Sequence, residues 1–196
     1  MKRFMYYFIQ WTWGILMNII GGIVCIIALC CKCPVQKYRN AIEILVPWNF
    51  GGCELGMFFV LGKDCLSVAP HEYGHTIQNL WWGPLFPFVV CLPSALRYWL
   101  RKQKEQKNKY EFVQCLFAII TLCCIVLGGI IGFYLYRPLV FISVIIWAYG
   151  FILYFWLGFI EIPKYKNNPP TYDDIWFEGQ ATELGNRANN NEWDWL

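Results

Sequence analysis

From Phe4 to Cys31 the chain carries no charged side chain, and the stretches Phe112–Tyr136 and Leu139–Ile160 repeat that pattern. Each exceeds the roughly 20 apolar residues that a helix needs to cross the hydrocarbon of a bilayer. Composition agrees: 15% of residues are charged, against about 25% in ordinary soluble domains. These features predict a mostly α membrane protein of one domain, 1–196, with spans over about 8–31, 112–136 and 139–160. The first run is too long for a signal peptide and lacks a cleavage site, so it reads as an uncleaved span with Trp11 and Trp13 near one interface.

The segments between these runs differ in character. Residues 41–69 are punctuated by Gly51, Gly52, Gly56 and Gly62 around the aromatic-rich run Met57-Phe58-Phe59-Val60-Leu61, which predicts a small strand-containing cap. Residues 80–96 are apolar but hold Pro84, Pro87 and Pro93, which favour a re-entrant or interfacial path over a straight helix. Arg97, Arg101, Lys102, Lys104, Lys107 and Lys109 form the densest basic cluster, and short basic loops of membrane proteins stay in the cytosol. Lying between apolar runs, that cluster is not a nucleic-acid patch. Of the ten cysteines, Cys30 and Cys33 make a lone C-x-x-C without a second ligand pair, so reduced thiols are expected.

The chemistry is concentrated in His71-Glu72-Tyr73-Gly74-His75, an H-E-x-x-H motif built from the only two histidines of the chain. On a helix, positions i and i+4 share a face, so His71 and His75 can grip one metal ion. Glu72 then lies beside the open position, where it can act as general base toward a water molecule, as in zinc peptidases. Pro70 suits the first turn of that helix, which should run to about Trp82.

A catalytic zinc site takes three protein ligands and leaves one position open. Asp64 lies in a loop with no motif around it, so the polar C-terminal segment is the better source of the third. There Thr171 and Asp174 predict a capping box, followed by a helix through Leu184 that stops at Gly185. Glu178 shares a face with Asp174, Ala181, Thr182 and Gly185, a face small enough for close approach to the His71–His75 helix. Glu178 is therefore the candidate third ligand, and Asp174 a candidate hydrogen-bond partner for a ligand imidazole. The alternative for Glu178 is a solvated acid on a surface face, as expected for Glu183.

H-E-x-x-H, an apolar hairpin and then E-x-x-A on a helix resemble the integral-membrane gluzincins that include HtpX and the CAAX-prenyl endopeptidases. The resemblance covers about 110 residues and implies zinc ligation by His71, His75 and Glu178, with Glu72 as base. It implies a zincin-like cap, in which a strand ahead of the metal helix either presents its edge to the substrate backbone or belongs to a buried hairpin that only packs the site. The family usually follows E-x-x-A with Asp, where this chain has Thr182. Site-2-type membrane proteases draw their third ligand from an Asp before Gly in a late span, and neither Asp173 nor Asp174 fits that pattern. The expected activity is zinc-dependent hydrolysis of membrane or membrane-near proteins and peptides, at the cytoplasmic face of the cell membrane. The rival is a zinc-binding membrane protein without catalysis, in a binding or immunity role.

Overall fold

The computed structural model describes residues 3–105, 137–161, 164 and 171–190. They form two compact units, 1–92 with 171–196 and 93–170. The first unit contains α1 (Arg3–Thr12), α2 (Ile15–Cys30), β1 (Val35–Tyr38), β2 (Ala41–Val46), β3 (Gly52–Leu55), β4 (Phe58–Gly62), α3 (Ala69–Trp82) and α6 (Trp176–Asn189). The helix α4 (Leu92–Glu105) leads into the second unit, which holds α5 (Arg137–Phe155). The fold is mostly helical with one small sheet.

That sheet has the order β1-β2-β4-β3, with β2 and β4 parallel and the outer pairs antiparallel. Alternation along the two central strands explains its position. Ala41, Phe59 and Leu61 face one core with Tyr6, Tyr73, Ile77 and Leu184, while Ile44, Val46, Phe58 and Val60 face another with Ala28. Helices α1, α3 and α6 thus cover one face of the sheet and α2 the other. A strand buried on both faces reads as an unbroken apolar run, as Phe58–Gly62 does. The strand expected to offer its edge is therefore central. The edges are β1 and β3.

The stretch read as a first span is broken. Helices α1 and α2 meet at 92°, and α2, with 16 residues, is about 24 Å long against a hydrocarbon thickness of about 30 Å. The corner is polar and buried. Gln10 Nε2 donates to the Thr76 carbonyl at 3.0 Å, and Asn79 Nδ2 donates to Gln10 Oε1 at 2.8 Å. Asn18 donates to the Gln10 carbonyl at 2.5 Å and accepts from the Met57 amide at 2.6 Å. Gly14 stands at the turn, where a Cβ would lie 2.7 Å from Asn79 Nδ2. A straight helix would leave Gln10 and Asn18 without these partners, and a buried unsatisfied amide costs about 1–3 kcal/mol.

After α3, Gly83–Leu85 forms a 3-10 turn and Pro87–Cys91 a π-turn, so the prolines break the 80–96 segment with a bend of 112° at Phe86. Among the described residues no single helix is long and apolar enough to cross a membrane; two bent pairs reach that length and composition together. The 112–136 span lies outside the described residues, and the 139–160 span corresponds to α5 and the π-turn Trp156–Glu161. Arg97 is not part of an exposed basic loop: it is buried 3.5 Å from Glu161 within the second unit. The side chains of the rest of that cluster lie outside the described residues.

Candidate metal centre

Helix α3 carries the H-E-x-x-H motif and α6 lies directly against it. Gly74 faces the Ala181 carbonyl and Gly185 faces the Pro70 carbonyl so closely that a Cβ at either glycine would overlap backbone. The small face expected on the C-terminal helix is thus used for close approach. Gly185 serves that approach and does not end the helix, which continues to Asn189.

The approach brings His71, His75 and Glu178 together in a cluster that could hold a metal ion. His71 Nε2 and His75 Nε2 are 3.1 Å apart, and each lies 3.2 Å from Glu178 Oε2. Ligands at about 2.0–2.1 Å from a tetrahedral zinc stand about 3.3–3.4 Å from one another. The triangle therefore matches one face of such a tetrahedron to within about 0.3 Å.

Hydrogen bonding fixes what these atoms offer. Gln78 Nε2 donates to the Phe177 carbonyl at 2.7 Å, so its Oε1, 2.7 Å from His75 Nδ1, must accept. Thr182 Oγ1 donates to Asp173 Oδ1 at 2.9 Å and so accepts from His71 Nδ1 at 2.7 Å. In their neutral forms both imidazoles then carry hydrogen on Nδ1 and a lone pair on Nε2. Two lone pairs and a carboxylate oxygen then converge on one point, and a bound cation or a proton on Nε2 relieves their repulsion. Burial alone would lower the pKa of His75. The Glu178 hydrogen bond, the charges of Glu72 and Glu178, and the Gln78 bond outweigh it and raise the pKa. The site favours positive charge.

Glu72 lies beside this triangle and against β3, where the Gly52 backbone touches its carboxylate and leaves no room for a Cβ. Burial raises its pKa, the neighbouring His75 and His71 lower it, and Glu178 raises it, for a net upward shift. A carboxylate displaced upward is a stronger base, as general-base work near neutral pH requires.

The structure thus brings together all four expected site residues, and corrects one supporting assignment. Asp174 does not approach an imidazole. Its carboxylate accepts from the Thr171 amide at 2.5 Å and closes the capping box of a 3-10 turn, Tyr172–Asp174. Three further participants carried little signal in the sequence. Gln78 is three residues past His75, on a spacing that helical geometry would have allowed. Thr182 and Asp173 meet only through a turn. Asp64 is an exposed loop residue and Glu183 an exposed acid paired with Arg187 at 3.5 Å.

Another buried carboxyl, Glu54 on β3, accepts from the Gly56 amide at 2.5 Å. Burial pushes its pKa well above the ordinary 4.5, the Gly56 bond offsets part of this, and the Glu72 charge adds to it. The folded state therefore keeps a proton that the unfolded chain has released. Its contribution to stability is full below about pH 4.5 and declines as pH rises toward the folded value. Glu54→Gln keeps a neutral acceptor there, so the fall in melting temperature between pH 5 and pH 8 should be smaller than in wild type. Equal falls in both proteins would contradict this assignment.

No family model, curated protein or solved structure matches this chain.

Proposed function

We propose that the chain is a zinc-dependent membrane endopeptidase, related in design to the HtpX and CAAX-prenyl endopeptidase gluzincins that its motifs resemble. The observation that carries this reading is the convergence of His71 Nε2, His75 Nε2 and Glu178 Oε2 at 3.1–3.2 Å beside the buried Glu72. A bound zinc would supply Lewis-acid polarisation of the peptide carbonyl and of water. Glu72 takes the proton from the attacking water and returns it to the leaving amine nitrogen. The Gly52–Leu55 strand lies at an edge of the sheet and against Glu72, and in this reading an extended substrate segment pairs along it, which demands little of its side chains.

Membrane placement is supported by surface chemistry. Helix α2 exposes Ile19, Ile23, Ile26 and Ile27 without an intervening charge, and α5 exposes Phe141, Ile145, Ile146 and Ile152. Patches of this kind are unusual on soluble monomers. Around the end of α3, Trp13 Nε1 donates to the Trp81 carbonyl at 3.3 Å and the Trp82 and Trp176 rings stand 5.9 Å apart. Tryptophans gather at membrane–water interfaces, and Trp176 is two residues from Glu178. The site would therefore sit at interface depth, on the cytoplasmic side if the basic cluster after Arg97 sets orientation.

The test is cleavage of a membrane-tethered peptide by the protein in sealed vesicles of both orientations. Cleavage is expected when the cytoplasmic face is outward, to cease with chelator and to return with zinc. Bound zinc with no cleavage in either orientation would favour the non-catalytic role instead.

A further inference from the structure

The two imidazoles of the centre are held by different chemistry. His75 Nδ1 meets a neutral amide, Gln78 Oε1, at 2.7 Å. His71 Nδ1 meets a hydroxyl, Thr182 Oγ1, at 2.7 Å, and that hydroxyl is 2.9 Å from Asp173 Oδ1. We propose that Thr182 and Asp173 form a hydroxyl-bridged carboxylate relay that orients His71 for metal binding. The proposal rests on the zinc reading above.

The direction of the relay follows from its chemistry. An ionised carboxylate only accepts hydrogen bonds, and a threonine hydroxyl has one hydrogen to give. Spent on Asp173, that hydrogen leaves lone pairs facing His71, which must then donate from Nδ1, and in its neutral form keeps Nε2 bare. A carboxylate placed behind a ligand imidazole fixes its tautomer and ring orientation and increases its basicity. Here it acts at one remove.

The turn that carries Asp173 is built to reach this position. The Thr171–Asp174 capping box closes Tyr172–Asp174 into one 3-10 turn, and Ile175 is extended before α6 begins. The turn folds back over α6 at Gly179, where a Cβ would lie 2.6 Å from the Asp173 carbonyl. The Tyr172 ring stands 5.5 Å from the His71 ring. One turn therefore holds His71 by a tilted aromatic ring contact and, through Thr182, by a carboxylate. Asp173 is exposed, so salt and water screen its charge. Its effect belongs at the low end of the range for such outer contacts.

The experiment measures zinc affinity of the full chain by competition with a chromophoric chelator, with melting temperature recorded in the metal-free form. Thr182→Val should weaken zinc by about 10–100-fold, Asp173→Ala by about 10-fold, and Thr182→Ser should stay close to wild type. The double variant Thr182→Val with Asp173→Ala should bind no more weakly than Thr182→Val alone, because Asp173 acts only through the hydroxyl. Unchanged metal-free melting temperatures would separate orientation of His71 from general destabilisation. Should Thr182→Val not fold, Asp173→Ala carries the test, since that side chain is exposed. A wild type without zinc would overturn the zinc centre together with the relay. Zinc bound equally by wild type and by both single variants, or additive losses in the double variant, would overturn the relay alone.

Discussion

Glu72→Gln is expected to keep its zinc and lose peptide hydrolysis by at least about 10²-fold, and up to about 10⁴-fold, the usual worth of a general base. The substitution preserves volume and hydrogen bonding at a buried position against Gly52, and it touches none of the three ligand atoms. Only the ability to accept a proton is lost. Metal content and melting temperature should therefore remain near wild type while turnover of a membrane-tethered peptide collapses. His71→Ala in the same assay should lose metal and turnover together. Full turnover in Glu72→Gln would show that Glu72 is not the base.

Glu178→Ala is expected to remove the response of stability to metal. In wild type, zinc at about 1,000 times its dissociation constant should stabilise the folded state by about 4 kcal/mol. For a chain of this size that corresponds to about 8–16 °C in melting temperature. Ala at position 178 removes the only oxygen of the triangle, leaving two imidazoles and an added gap in the coordination shell. Melting curves with zinc and with chelator should then nearly coincide. The metal-free curve should not fall much, because the variant no longer confines a buried carboxylate against two lone pairs. A zinc-induced shift in Glu178→Ala as large as that of wild type would move the third ligand elsewhere.

Much of the centre was legible because helical spacing is a strict rule. The i, i+4 relation placed His71 and His75 together, Pro70 marked the start of α3, and the small residues Ala181 and Gly185 marked the side of α6 that could lie against it. The same rule failed one residue before α6. Counting back from Glu178 put Asp174 on the metal face, but Ile175 is extended, with φ −94° and ψ 137°, so helical register does not continue through it. The carboxylate near His71 is therefore Asp173. For the same reason Thr182, where the resembled family has Asp, does not leave His71 without a carboxylate. Strand existence was readable from the glycines and the run Met57–Leu61, whereas strand order was not. Parallel pairing of β2 with β4 depends on long-range packing against α2 on one side and α3 on the other.

The N-terminal break was hidden by a different circumstance. Hydropathy counts charges, and the 28 residues from Phe4 to Cys31 have none; the decisive residues are two amides, Gln10 and Asn18, whose partners lie far along the chain.

That corner has a practical meaning for anyone wishing to handle the protein. A leading apolar segment is commonly treated as a tether to be trimmed, leaving a water-soluble catalytic piece. Here Tyr6 and Gln10 bond to Thr76, the neighbour of His75, and Asn18 bonds to the loop before β4. Helix α2 also roofs one face of the sheet through Ala28. Removing residues 1–30 would uncover the back of α3 and one side of the central strands at once. The leading segment and the histidine-bearing helix belong to one compact unit, so trimming the first would take away part of the packing that holds the second.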